Sequence, residues 1–129
     1  MGLNSSCPEK ALNEITEKMK RPGKEVSVTV ASRADAEEVL RGYMTHEDVR
    51  RQGPFRNTTN QPKPDGKKSD NPSPSDWLPG GKGAMEKKGT YHYDAADPNA
   101  GLGDHALIGD HIQIHTYPGK IIRIFFTDK

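Results

Sequence analysis

Three of the five histidines lie close together near the C-terminus: His105, His111 and His115. The pKa of an imidazole lies near neutrality, so a histidine can take or give a proton at physiological pH. Two imidazoles and a cation can cleave a phosphodiester without a metal: one imidazole takes the 2′-hydroxyl proton, the other protonates the leaving 5′-oxygen, and Arg or Lys stabilises the charge on phosphate. Such chemistry favours RNA, because DNA lacks the 2′-hydroxyl.

A β-hairpin carries two of these histidines. Apolar and polar residues alternate over 111–116 and 121–126, which predicts two strands joined by a turn at Pro118-Gly119. His111 and His115 then share one face with Gln113. A three-residue turn would pair His115 with Arg123 and gather the isoleucines on the opposite, core-facing side. We expect this register, because burial of the isoleucines outweighs turn preference.

The spacing of the strand histidines limits what they can do together. Four residues of strand place His111 and His115 about 13 Å apart, too far to share one metal ion or one phosphate without a bulge. One of them is therefore expected to work with a residue of another element. The candidates are His92, Tyr91, His105 and Arg123. A metal site in which His105 joins the strand histidines stays open, as does a plain solvent-facing pair.

Basic residues precede a short β-prone stretch at Thr90–Tyr93. Lys82, Lys87 and Lys88, with Trp77 and Tyr91, could form a surface that binds phosphates and stacks on bases. The alternative is a solvated charged loop.

The composition bounds the fold. The chain has 129 residues, only 31% of them hydrophobic, with 13 glycines and 10 prolines, which predicts one domain with a small core. The formal net charge is +1, so an RNA site must arise from local charge. No apolar run is long enough to span a membrane.

The elements that must position the histidines follow from the patterns upstream. Residues 1–7 are expected to be a flexible lead-in, and Pro8 to begin an amphipathic helix. A strand with Val26, Val28 and Val30 on one face precedes a helix from about Arg33 to Tyr43. The Pro and Gly content of residues 52–82 predicts a long loop, which is either disordered or folded over a site. The fold class is α+β, with N-terminal helices packed on a small antiparallel sheet.

The order of these segments resembles a known family. A helix, then VSVTVASRADAEEVLRGY, a loop, GTYHYD and GDHALIGDHIQIHTYPGKIIRIFF are similar to the C-terminal toxin domains of Rhs-type polymorphic toxins. In particular, the chain is similar to ribonuclease toxins of the barnase–EndoU–colicin–RelE type, in a Tyr-His strand, a glycine-rich turn and an H-x-I-type strand. Gly2-Leu3 also resembles the end of the motif that precedes such toxins.

The resemblance implies an antibacterial effector domain that cleaves RNA in the cytoplasm of a target cell. It implies secretion as part of a larger Rhs shell, by a route such as type VI secretion, in interbacterial competition. It also implies a cognate immunity protein that blocks the site. The expected catalytic residues are His111 first, with His105 and His92 as partners, and then His115 and Arg123.

Substrate contacts are expected from five residues of the same region, and neither a metal nor a cofactor is expected. These residues are Lys88, Lys87, Tyr91, Gln113 and Lys120. Two rival functions stay open. One is a different toxin activity such as ADP-ribosyl transfer, with Tyr91-His92 at a nicotinamide site. The other is a non-catalytic binding module that uses the hairpin edge.

Overall fold

A computed structural model describes residues 7–57, 88–94 and 109–128. Within these ranges the chain forms three helices and five strands, and none of the helices is long and apolar enough to cross a bilayer. The elements are α1 (Pro8–Met19), β1 (Glu25–Ser32), α2 (Arg33–Thr45), α3 (Glu47–Arg50), β2 (Arg56–Asn57), β3 (Thr90–Asp94), β4 (His111–His115) and β5 (Ile121–Asp128).

The strands form one mixed sheet in the order β1-β5-β4-β3-β2. Strand β4 is antiparallel to both of its neighbours, β3 and β5, whereas β1 pairs parallel with β5 and β2 pairs parallel with β3. The predicted α+β class is confirmed. The sheet is not wholly antiparallel, because each edge strand joins in parallel.

Helices α1 and α2 pack on one face of the sheet through their apolar stripes. In α1, Ala11 and Ile15 are fully buried one turn apart. In α2, the buried inner face consists of Ala36, Val39, Leu40 and Tyr43. The predicted start of α2 is confirmed, because the Ser32 hydroxyl accepts a hydrogen bond from the Asp35 backbone N–H at 3.2 Å.

The core lies between these helices and the apolar face of the sheet. The β1 valines stand beside the β5 side chains on that face, with Val26 opposite Ile122, Val28 opposite Ile124 and Val30 opposite Phe126. All six are buried. A one-residue slip of β1 would turn its three valines away from the helices, so this burial fixes the parallel register.

The hairpin has the predicted faces but not the predicted register. Gln113, and not His115, lies opposite Arg123, while His115 pairs with Ile121. The turn lies one residue earlier than expected, because both the N–H and the hydroxyl of Thr116 donate to the Lys120 carbonyl oxygen and close the hairpin over residues 117–119. The shift is two residues, and side chains alternate with a period of two, so the isoleucines still share the core face.

Much of the predicted long loop, residues 52–82, and most of the predicted lead-in, residues 1–7, lie outside the described residues, as does Trp77. The described part of the loop contains β2 and follows α3, and the sequence pattern predicted neither element. Phe55 anchors this segment, because its ring packs edge-on against Tyr43 and Tyr117, with ring centroids 5.9 and 5.3 Å apart.

Candidate functional site

The polar face of the sheet, on the side away from α1 and α2, is buried. Its central residues are each no more than 6% exposed: His92, His111, Gln113, His115 and Arg123. Histidine and arginine are costly to bury unless they are hydrogen-bonded or paired. The sequence alternation correctly placed them on one face, but it left open a solvent-facing arrangement that the structure does not have.

A chain of hydrogen bonds crosses three strands on this face. The Arg123 Nη1 donates to Glu25 Oε1 at 2.6 Å, and its Nε donates to Gln113 Oε1 at 3.1 Å. The Gln113 amide nitrogen lies 3.2 Å from His115 Nε2. We refer to Glu25, Arg123, Gln113 and His115 as the relay. Register produces it, because Gln113 and Arg123 lie directly opposite each other on β4 and β5.

His115 also contacts a second imidazole. The rings of His92 and His115 stack with their centroids 5.6 Å apart and an interplanar angle of 22°. His92 lies on β3 opposite Gln113, so a diagonal across the strand pair brings the two rings together. His92, one of the partners that the sequence suggested, is thus a residue of another element that contacts His115.

His111 lies at the other end of β4. Its ring is fully buried, its Nδ1 is 3.0 Å from the Gly109 carbonyl oxygen, and it packs against Phe125 with centroids 4.8 Å apart. The structure thus separates the residue that the sequence favoured most from the His92–His115 pair.

A pocket opens at the hairpin end of β4, beside His115. Its volume is about 300 Å³, at the lower end of the range for ligand sites. The described residues that line it are Lys88, His115, Thr116, Gly119, Lys120 and Ile121. Of the histidines that the structure describes, His115 alone lines this pocket.

Lys88 is the available cation of the pocket. It is exposed, and its ammonium makes no hydrogen bond or ion pair with any residue in the described ranges. Its aliphatic stem passes the turn glycine, where a Cβ built on Gly119 would lie 3.9 Å from the Lys88 Cε. A lysine in this setting attracts phosphate without first breaking an ion pair.

Gly89 fixes Lys88 next to His115. The Gly89 N–H donates to the His115 carbonyl oxygen at 2.7 Å, and the Gly89 carbonyl oxygen accepts from the Arg56 N–H at 3.0 Å. Gly89 has φ +78°, and a Cβ there would lie 2.6 Å from the Tyr117 ring. Glycine is therefore required both by the backbone conformation and by the close approach of Tyr117.

The other predicted site residues are placed differently. Lys120 lines the pocket, but its ammonium donates to the carbonyl oxygens of Lys18 and Arg21 at the end of α1. Tyr91 is on the core face, opposite Ile114. Arg123 and Gln113 are buried in the relay and do not line the pocket. His105 and Lys87 lie outside the described residues.

One signal for the burial of this face was present in the sequence. Strand β5 carries Ile121 and Phe125 on the same face as Arg123, so both of its faces are apolar. Strands with two apolar faces are typical of sheets covered on both sides. The hydrogen bonds of the relay could not be predicted from the sequence pattern, because they depend on the hairpin register and on the pairing of β1 with β5.

Among the residues that the structure describes, no three His, Cys, Asp or Glu side chains are grouped closely enough to hold a metal ion. No protein-family model, no curated protein and no solved structure matches this chain.

Proposed function

We propose that this chain is a metal-independent endoribonuclease and that the pocket beside His115 holds the scissile phosphate. The observation that carries the proposal is the meeting of an exposed lysine with no ion-pair partner in the described ranges, Lys88, and an imidazole, His115, at one 300 Å³ pocket. A second imidazole, His92, stacks on the first. This is the set of groups that transphosphorylation of RNA requires.

The reaction begins with attack of the 2′-oxygen on phosphorus. The 2′-hydroxyl proton passes to one imidazole, the bond between phosphorus and the 5′-oxygen breaks, and the leaving 5′-oxygen takes up a proton. The products are a 2′,3′-cyclic phosphate end and a 5′-hydroxyl end. Lys88 stabilises the charge that develops on the phosphate oxygens. Of the stacked pair His92 and His115, one imidazole starts neutral and accepts the 2′-hydroxyl proton, and the other starts protonated and gives its proton to the 5′-oxygen.

The biological setting that we propose rests on the resemblance to Rhs-type toxin domains. In that setting the chain is the toxic part of a larger secreted effector. It cleaves RNA in the cytoplasm of a target cell, and an immunity protein covers the pocket. Expression of the chain inside a cell tests this setting: growth should stop, and coexpression of the immunity protein should restore it.

Incubation of the purified chain with an RNA oligonucleotide, with and without EDTA, tests the chemistry. We expect cleavage that persists in EDTA, 5′-hydroxyl ends, and no cleavage when the nucleotide before the scissile bond is 2′-deoxy. His115→Asn should slow cleavage by about 100-fold or more.

His46→Asn is the matched control. His46 is an exposed histidine whose Nδ1 accepts from the Asp48 N–H at the start of α3, and asparagine can replace that cap. RNA left intact by the wild-type chain would contradict the proposal. Transfer of label from NAD to a macromolecule would favour the ADP-ribosyltransferase alternative instead.

A further inference from the structure

The donor and acceptor groups of the relay have only one consistent arrangement. A guanidinium donates hydrogen bonds and cannot accept them. The Gln113 atom that faces Arg123 Nε is therefore its carbonyl oxygen, which leaves the Gln113 amide nitrogen towards His115. An amide nitrogen also only donates, so His115 Nε2 must be the acceptor. A ring nitrogen that accepts carries no proton.

We infer that Gln113, held by Arg123, is a positioning residue that keeps His115 neutral with its proton on Nδ1. Arg123 is oriented in turn by Glu25, whose side chain is 61% exposed while that of Arg123 is 8% exposed. Protonation of Nε2 would bring its N–H against the N–H of the Gln113 amide and break the hydrogen bond. An amide flip cannot relieve this, because it would turn the Gln113 amide nitrogen, which can only donate, towards the donating Nε of Arg123.

The catalytic meaning of the inference rests on the proposed function. There it assigns the roles of general base and general acid to different histidines. A general base must be neutral before it acts. The relay holds His115 in that state with its lone pair on Nε2. A 2′-hydroxyl is a donor like the Gln113 amide, so it can displace the amide from Nε2 without a change of tautomer. His115 is then the base, and the second imidazole, His92, is the acid, which must be protonated before the reaction to give its proton to the leaving 5′-oxygen.

The charged groups around His115 have opposite effects on the protonation of its ring. Lys88, Lys120 and Arg123 are cations and disfavour a charged imidazole, and a charge on the stacked His92 would do the same. The Glu25 carboxylate opposes them, but its charge is directed to Arg123. The neutral state of His115 is therefore supported by the lysines of the pocket and by the hydrogen-bond chain.

Nitrogen-15 NMR of the histidine rings in the full chain tests the inference directly. The His115 signals are identified by their loss in His115→Asn. In the wild-type chain at pH 7 we expect the pattern of a neutral ring protonated at Nδ1. The uncommon tautomer is informative because a merely structural role for Gln113 would not select it. A wild-type ring protonated at Nε2, or at both nitrogens, would overturn the inference.

Gln113→Glu provides the matched variant, since a carboxylate keeps the length of the side chain and can still accept from Arg123. It also accepts from His115, so the titration midpoint of His115 should rise by about one pH unit or more. An unchanged midpoint in the folded variant would overturn the inference. The NMR result does not depend on cleavage: an Nδ1-protonated ring in a chain that leaves RNA intact would uphold the relay and reject only the ribonuclease.

Discussion

At the scale of single residues, the candidate site depends on which cations are already engaged. Arg123 is paired with Glu25, and Lys120 donates to carbonyl oxygens at the end of α1. Lys88 has no such partner in the described ranges, so it is the cation that can meet a phosphate. The sequence assigned all three to the site, with Arg123 as a catalytic residue and Lys88 and Lys120 as substrate contacts, because charge alone does not show which partners the fold supplies.

Replacement of Lys88 by alanine tests this distinction. Removal of one buried donor to a transition state commonly costs 10²–10³-fold in rate, and an exposed donor costs less. We therefore expect Lys88→Ala to slow RNA cleavage by roughly tenfold. Lys10→Ala, at an exposed position on α1, is the control and should leave the rate unchanged. Equal rates for both variants and the wild type would remove Lys88 from the site.

At the scale of elements, three segments meet at Tyr117. Its hydroxyl donates to the Pro54 carbonyl oxygen, its ring packs on Phe55, and the same ring lies over Gly53 and Gly89. The Gly89 N–H donates a hydrogen bond to the His115 carbonyl oxygen, and Lys88 directly precedes Gly89. The position of Lys88 beside His115 therefore depends on the contact between Gly89 and the Tyr117 ring. The segments before β2, before β3 and after β4 therefore act together in shaping the pocket.

Gly89→Ala tests this junction. Alanine at φ +78° is strained, and its Cβ would lie 2.6 Å from the Tyr117 ring, so we expect the free energy of unfolding to fall by about 2–4 kcal/mol. Gly23→Ala is the matched control, since Gly23 has φ +128° with no atom within 4 Å of an added Cβ. Urea denaturation measures both. Equal losses in the two variants would mean that the Tyr117 contact contributes nothing.

Local patterns predicted local elements well. Helices α1 and α2, the valine strand and the two faces of the hairpin all follow from the spacing of apolar residues and from Ser32 as a cap. The pairing of β1 with β5 could not be predicted, because those strands are far apart in the sequence. The hairpin register was wrong by two residues, since the turn is closed by Thr116 and Lys120 and not by Pro118-Gly119 alone. The relay follows from both of these long-range features.

At the scale of the whole molecule, two buried tyrosines make stability depend on alkaline pH. Burial raises the pKa of Tyr43 to about 12. Burial also raises the pKa of Tyr93, and so does the hydrogen bond of its hydroxyl to Glu37 at 2.7 Å. A phenol with a raised pKa in the fold stabilises the fold fully below pH 10, its ordinary pKa. That contribution is lost as the pH rises from 10 towards the folded value.

We therefore expect the free energy of unfolding to fall steadily above about pH 10. Tyr43→Phe should reduce this fall, because phenylalanine cannot ionise, while leaving the pH dependence between 6 and 9 unchanged. Urea denaturation at a series of pH values makes the comparison. An identical alkaline slope in Tyr43→Phe and the wild type would contradict the assignment.

The most direct test of the central claim is cleavage of one RNA oligonucleotide by the wild-type chain and by His115→Asn in EDTA. We predict that the wild-type chain produces 5′-hydroxyl ends, that His115→Asn does so about 100-fold more slowly or not at all, and that His46→Asn matches the wild type. Equal cleavage by the wild-type chain and His115→Asn would contradict the claim that the pocket beside His115 is the catalytic site.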